Sequence, residues 1–232
     1  MRLHVEAGRT PALKICGLMD PRHALIAAEG GADMLGVVFA PSRRRVRVDT
    51  ARNIVAVLHA RSSWPRLVGV FVNESTDNML EIAEHVGLDV LQLSGDESPE
   101  QVEACSSYYP TIKAVRFPGN MPVEQVMGEL EPYTRLDLGD RVRLLLDTYR
   151  PGEYGGTGET ADWSLAAGIA ERLPLILAGG LNPGNVGAAI KQVAPWAVDV
   201  SSGVETGGVK DGALIREFIS AANYQAVALK GQ

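Results

Sequence analysis

Two side chains in this sequence stand where a short apolar run stops, and both can move a proton. Cys16 closes the run "LKIC", directly before Gly17, and Asp147 closes "RLLLD". A thiolate is a base and a nucleophile. A carboxyl group withdrawn from water holds its proton closer to neutral pH and becomes a general acid. The four histidines, His4, His23, His59 and His85, fall on the N-terminal tail or inside helical patterns, and none ends an apolar run. Acid–base chemistry therefore falls to the thiol and the carboxyl. Each has a plainer reading too, Cys16 as a small core residue and Asp147 as a helix or turn cap. For Asp147 the catalytic reading is the stronger one, because Tyr149 to Gly158 is a long loop with no helix nearby to cap.

The elements that would position these residues come from the spacing of apolar runs. Eight strand-like segments recur: Leu13–Cys16, Met34–Phe39, Leu67–Val72, Val90–Leu93, Thr111–Val115, Arg143–Asp147, Leu175–Ala178 and Ala197–Ser201. Helical patterns separate them. Asp20 or Pro21 opens the first, Asp49 caps the next, Thr76 caps a third that ends at Gly87, and Ser98 with Pro99 opens a fourth. One helix with an irregular end is expected within 119–140, and Trp163–Arg172, Pro183–Val193 and Gly212–Ala222 complete the set. Strands alternating with helices imply a parallel sheet covered on both faces. Eight units in 232 residues match the repeat length of about 30 residues of a βαβ unit. The expected fold is α/β, a single (β/α)₈ barrel over residues 1–232. Residues 1–11 read as a polar lead-in and 224–232 as a frayed tail. Strand number alone does not prove closure, so a doubly wound open sheet is the rival.

In such a barrel the site lies at the C-terminal mouth, on the loops that follow the strands. The loops after strands 7 and 8, "GGLNPGN" and "SSGVETGGVKDG", carry Gly179, Gly180, Ser202 and Gly203. Either loop alone reads as glycines that permit tight turns, but backbone N–H groups there can also face an anion, and both loops sit where barrels of this kind bind phosphate. Within strand 1, alternation puts Leu13 and Ile15 on one face and Lys14 and Cys16 on the other. If the apolar pair meets the helices, Lys14 points into the barrel and needs a partner. Strand 8 closes onto strand 1, and Asp199 is the expected partner. A cation beside Cys16 favours its thiolate. Four arginines lie within Arg43–Arg47, at the exit of strand 2. They read as a solvated loop or as a clamp for an anionic group of a substrate.

The totals bound the function. A formal net charge of −6 disfavours general affinity for nucleic acid or an anionic membrane, and no apolar run is long enough to span a bilayer. The first residues lack the apolar stretch of a secretory signal. Two cysteines, Cys16 and Cys105, give neither a disulfide framework nor a metal-ligand spacing. A cytoplasmic location is expected.

Seven stretches carry a family resemblance: "KICGL", "GADMLGVVFAPSRRRV", "VGVFVNES", "DVLQLSGDE", "LLLDTYRPGEYGGTGETADW", "LILAGGLNPGNV" and "VDVSSGVETGGVKD". Together, over roughly residues 13–218, the chain resembles the phosphoribosylanthranilate isomerases. The resemblance implies an Amadori rearrangement of N-(5-phosphoribosyl)anthranilate in tryptophan biosynthesis. No metal or organic cofactor is implied, the partner is the small phosphorylated sugar–anthranilate substrate, and the protein is expected as a monomer or homodimer. By the same resemblance Cys16 is the general base, Asp147 the general acid, and Arg44 the holder of the anthranilate carboxylate. Gly179, Gly180, Ser202 and Gly203 fall on the phosphate loops. Two positions depart from the family pattern: Ser94 stands where a histidine is usual, and Ala161 where an aromatic residue is usual. Other readings stay open on the residues alone. The histidine-pathway isomerase runs the same chemistry but has an aspartate where Cys16 stands, and a sugar-phosphate-binding protein without activity would not need both Cys16 and Asp147.

Overall fold

The computed structural model describes residues 10–60, 64–118, 121–136, 141–147 and 162–230. The loop over 149–158 and Ala161 lie outside the described residues. Eight parallel strands, β1 (Ala12–Cys16), β2 (Met34–Val38), β3 (Arg66–Phe71), β4 (Val90–Leu93), β5 (Thr111–Val115), β6 (Val142–Leu146), β7 (Leu175–Leu177) and β8 (Ala197–Val200), pair in chain order. The barrel closes through β1 and β8, with Lys14 opposite Asp199, which excludes the open sheet. Helices α1 (Pro21–Gly30), α2 (Val48–His59), α3 (Thr76–Val86), α4 (Pro99–Ser106), α5 (Val123–Thr134), α6 (Trp163–Ala170), α7 (Val186–Val193) and α8 (Gly212–Lys230) alternate with them. A short antiparallel ribbon, β9 (Glu205–Thr206) and β10 (Val209–Lys210), precedes α8.

Strand alternation sorts the core into two layers. Leu13, Ile15, Leu35, Leu91 and Val198 belong to the larger cluster, which also takes in buried residues of the helices. Met34, Val68, Ile112, Leu145 and Ile176 form a separate cluster inside the barrel. Lys14 is fully buried on that inner face. The layered interior makes the barrel a packed core, which leaves the mouth as the place for a ligand.

Most helix ends follow local chemistry. The Asp20 side chain accepts from the His23 N–H and Pro21 occupies the first turn of α1. Ser98 does the same for α4, and Gly87, with φ near 80°, ends α3. Two caps differ from expectation. Asp49 lies inside the first turn of α2, which starts one residue earlier at Val48; its charge still suits the helix N-terminus. The bond from the Val46 N–H to the Val38 carbonyl, at 2.8 Å, ties down the loop just before this start. In α3 the cap is Ser75, whose hydroxyl accepts from the Asn78 N–H, so Thr76 is the first helical residue. Helix α7 begins at Val186 instead of Pro183, because "NPGN" forms a turn of its own. The Asn182 N–H donates to the Asn185 side chain (2.8 Å) and the Gly184 N–H to the Asn182 side chain (2.9 Å). Helix α8 runs past the expected Ala222 to Lys230.

Candidate active site

Cys16 is the last residue of β1, buried, with its side chain on the inner face. Gly17 follows at φ 78°, a conformation that strains any side-chain-bearing residue. The chain can thus leave the strand at once, and its Gly17 and Leu18 N–H groups both donate to the Gly36 carbonyl at 2.9 Å. Gly36 itself must be bare: a Cβ there would sit 2.7 Å from Cys16 Sγ and 3.2 Å from Lys14 Nζ. That packing is what leaves room for thiol and ammonium together.

Lys14 Nζ donates to Asp199 Oδ1 at 3.0 Å, the pair that strand parity predicts. Burial disfavours the ammonium, but Asp199 and then Cys16 outweigh it, and the Lys14 pKa lies above its ordinary value. Cys16 departs from expectation. Burial pushes its thiol up, the opposing pull of Lys14 is smaller, and Asp199 adds to the rise, so the thiol is a weaker acid than a free cysteine. The cation is present, but removal from water dominates.

On the far side of the mouth, Asp147 follows β6, its N–H on the Val115 carbonyl at 3.1 Å. Leu145, two residues back on the same face, packs in the inner cluster, as expected if Asp147 faces the axis. Arg116, just past β5, approaches Asp147 at 3.9 Å and donates to the Ser94 carbonyl at 3.2 Å. Ser94 itself is buried, its hydroxyl accepting from Gln92 Nε2 at 3.1 Å. Just after β4, Ser94 is thus paired with Gln92 through its hydroxyl and with Arg116, from beyond β5, through its carbonyl.

Of the four arginines only Arg44 turns inward; Arg43, Arg45 and Arg47 are exposed. Its stem crosses Gly17, where a Cβ would lie 2.5 Å from Arg44 Cδ. The guanidinium therefore lies over Gly17, the residue after Cys16. Glu205 holds it in a two-point pair, at 2.6 Å from Nε and 3.0 Å from Nη2. Sequence reasoning does not single out Glu205 and Lys210; their place in "SSGVETGGVKD", after a strand that ends at the mouth, is the signal that could have found them.

Gly179 and Gly180 have φ of 85° and 64°, and Ser202 and Gly203 lie in a single 3₁₀ turn, Ser202–Val204. The two loops touch: Gly203 packs on the Leu181 carbonyl so closely that no Cβ fits. Among the described residues no protein acceptor takes the N–H of Gly179, Gly180, Ser202 or Gly203. The structure thus brings the four residues to one corner, between β7 and β8, with donors to spare. His23, His59 and His85 sit on helices, His23 against Asp20 and His85 on the Glu81 carbonyl. Among the described residues no group of three or more His, Cys, Asp or Glu side chains gathers to hold a metal ion.

With Cys16, Arg44, Asp147 and both glycine loops all at its C-terminal rim, this closed barrel is of the class of (β/α)₈ enzymes whose chemistry is built on the βα loops. Comparison with known proteins narrows the class. Residues 13–221 match the sequence model of N-(5'-phosphoribosyl)anthranilate (PRA) isomerase, and the chain belongs to that family. The isomerase of Pseudomonas putida KT2440 is 50% identical over 90% of this chain and 95% of its own. That of Roseiflexus sp. RS-1 is 47% identical over 92% and 98%. The solved Thermotoga maritima enzyme superposes with a TM-score of 0.79 at 39% identity, covering 92% of this chain and 99% of that one. A solved PRA isomerase in complex with reduced 1-(o-carboxyphenylamino)-1-deoxyribulose 5-phosphate matches at a TM-score of 0.77 and 37% identity, with the same coverage.

Proposed function

We propose that this protein is a phosphoribosylanthranilate isomerase acting by general acid–base catalysis at the barrel mouth. The observation that carries the reading is the placement of Cys16 and Asp147 at the ends of β1 and β6, with Arg44 laid over Gly17. The substrate is a closed furanosylamine. Asp147 gives its proton to the ring oxygen as the C1–oxygen bond breaks, and the anilino nitrogen becomes a protonated Schiff base. Cys16, as thiolate, removes the C2 proton, and the electron pair of that bond flows to nitrogen to give an enolamine. The C2 hydroxyl of the enolamine then loses a proton as C1 gains one, leaving the 1-deoxyribulose ketone.

Burial makes Cys16 a poor thiolate, and Lys14, with a smaller pull from Lys210, lessens the penalty. A cationic Schiff base arriving beside it acts in the same direction. Arg44 binds the anthranilate carboxylate, and the N–H groups of Gly179, Gly180, Ser202 and Gly203 bind the phosphate. No step calls on a metal or organic cofactor. The reading places the protein among aldose–ketose isomerases working in the cytoplasm on one small phosphorylated substrate, as a monomer or homodimer. No described helix is long and apolar enough to cross a membrane. The deciding experiment follows the fluorescence of freshly made phosphoribosylanthranilate with purified protein. Decay to the deoxyribulose phosphate is expected, and an unchanged signal at high protein concentration rejects the proposal.

A further inference from the structure

Glu205 begins β9, directly after the 3₁₀ turn that carries Ser202 and Gly203. A carboxylate is an odd choice here, because the mouth has to attract anions. Yet its side chain is only 4% exposed, and it accepts from three cations. Arg44 engages it through Nε and Nη2, Lys210 Nζ binds Oε1 at 2.7 Å, and Arg43 Nη2 binds Oε2 at 2.8 Å. The Arg43 side chain is 56% exposed, so that arm contributes little. Lys210 stands opposite Glu205 in the β9–β10 ribbon and also donates to the Ser201 carbonyl at 2.8 Å. The carboxylate is thus anchored to the end of β8 on one side and grips Arg44 on the other.

The grip has a definite geometry. A planar guanidinium bound through Nε and Nη2 has its Nη1 edge turned away from the carboxylate. The Arg44 stem is at the same time pressed over Gly17, next to Cys16. Three cations around one carboxylate leave the cluster with excess positive charge, so Glu205 orders the arginine without cancelling its attraction for an anion. We infer that Glu205 is a positioning residue for Arg44, fixing the guanidinium plane over Gly17 and so setting where the substrate's carboxylate is held. This rests on the reading of Arg44 as the carboxylate clamp.

The test is steady-state kinetics on wild type, Glu205→Gln, Arg44→Ala and the double variant, with inorganic phosphate as a competitive inhibitor of each. Glu205→Gln is expected to raise KM about tenfold with kcat within about threefold, since a clamp acts on ground and transition states alike. Once Arg44 is gone Glu205 has nothing to orient, so the double variant should match the KM of Arg44→Ala within about twofold. Phosphate carries no ring carboxylate and should inhibit Glu205→Gln as it does wild type. KM effects that multiply in the double variant would place Glu205's action elsewhere and overturn the inference. So would a parallel loss of phosphate inhibition, which marks a carboxylate that merely folds the loop. Wild-type KM in Glu205→Gln with an impaired Arg44→Ala overturns this inference alone. Wild-type KM in Arg44→Ala overturns the clamp reading with it.

Discussion

At Cys16, burial and charge pull in opposite directions, and the kinetics should register the balance. Cys16→Ser nearly preserves shape but replaces the thiol with a far weaker acid, so kcat should fall by at least about 10² with KM near wild type. On the proposed mechanism Asp147 delivers the ring-opening proton, which an amide cannot do, so Asp147→Asn should lose a similar factor. The pH profile of kcat/KM separates the two roles. In wild type it should be bell-shaped, since one group must be protonated and the other not. In Asp147→Asn only the base requirement remains. Because burial holds the Cys16 thiol above its ordinary value, the midpoint of the residual activity should lie above about pH 8.5, where a free thiol is half ionised. A profile for this variant that levels off near neutrality would remove Cys16 as the titrating base. Near-wild-type turnover in either variant would return that residue to a packing role.

The elements bring their own tests, because strand pairing and loop contact put the groups in place. Lys14 and Asp199 meet only where β1 closes on β8. Lys14→Met strands a buried carboxylate, which should cost about 3–5 kcal/mol and lower Tm on the order of 10 °C. Adding Asp199→Leu should recover much of that loss, since an apolar pair of similar volume is often no worse than a buried ion pair. An unchanged Tm in Lys14→Met would mean that the ammonium is not in the dry interior. At the other corner, the loops after β7 and β8 are held together by the bare backbone of Gly203 on Leu181. In Gly203→Ala one loop must move away, so competitive inhibition by inorganic phosphate should weaken about tenfold or more, the range expected when charge-assisted N–H bonds are misaligned. Inhibition equal to wild type would locate the phosphate elsewhere.

For the molecule as a whole, pH acts on stability through its ion pairs. Burial alone would raise the Glu205 pKa, but Arg44 and Lys210 outweigh it, and the carboxyl is held below its ordinary range. Asp20 is shifted down in the same sense by His23. A carboxyl with a lowered folded-state pKa contributes stability that is complete above the unfolded value, about 4. That contribution is lost as pH falls through the folded value. Tm should therefore be flat from neutrality down to about pH 5 and drop below it, and Glu205→Gln should drop less steeply than wild type over the same interval. Parallel curves for the two proteins would show that Glu205 is not titrating in a paired state. The overall charge of −6 does not predict this behaviour, because the cations concerned are gathered in one buried cluster.

The repeat, the strands and the face on which each strand residue lies can be read from the chain's order of residues alone. Period-2 alternation is dictated by backbone geometry, so Lys14 and Cys16 had to share a face opposite Leu13 and Ile15, whatever the rest of the chain did. Asp20, Ser98 and Gly87 could be read as helix ends because caps are satisfied within a few residues. Six candidate residues, Cys16, Asp147, Gly179, Gly180, Ser202 and Gly203, stand out in the sequence because each follows or closes an apolar run that reads as a strand, whereas Arg44 is picked from four arginines only by the family resemblance. Tertiary structure alone decided closure of the barrel, since β1 and β8 are joined by pairing across 185 residues from Lys14 to Asp199. It alone decided which of the four arginines turns inward, since Arg44 packs over Gly17 and is held by Glu205, 161 residues away along the chain. It also set the state of the Cys16 thiol. The charge beside a group can be inferred from neighbours in a strand, but the depth of its burial depends on everything packed around it, and here burial wins.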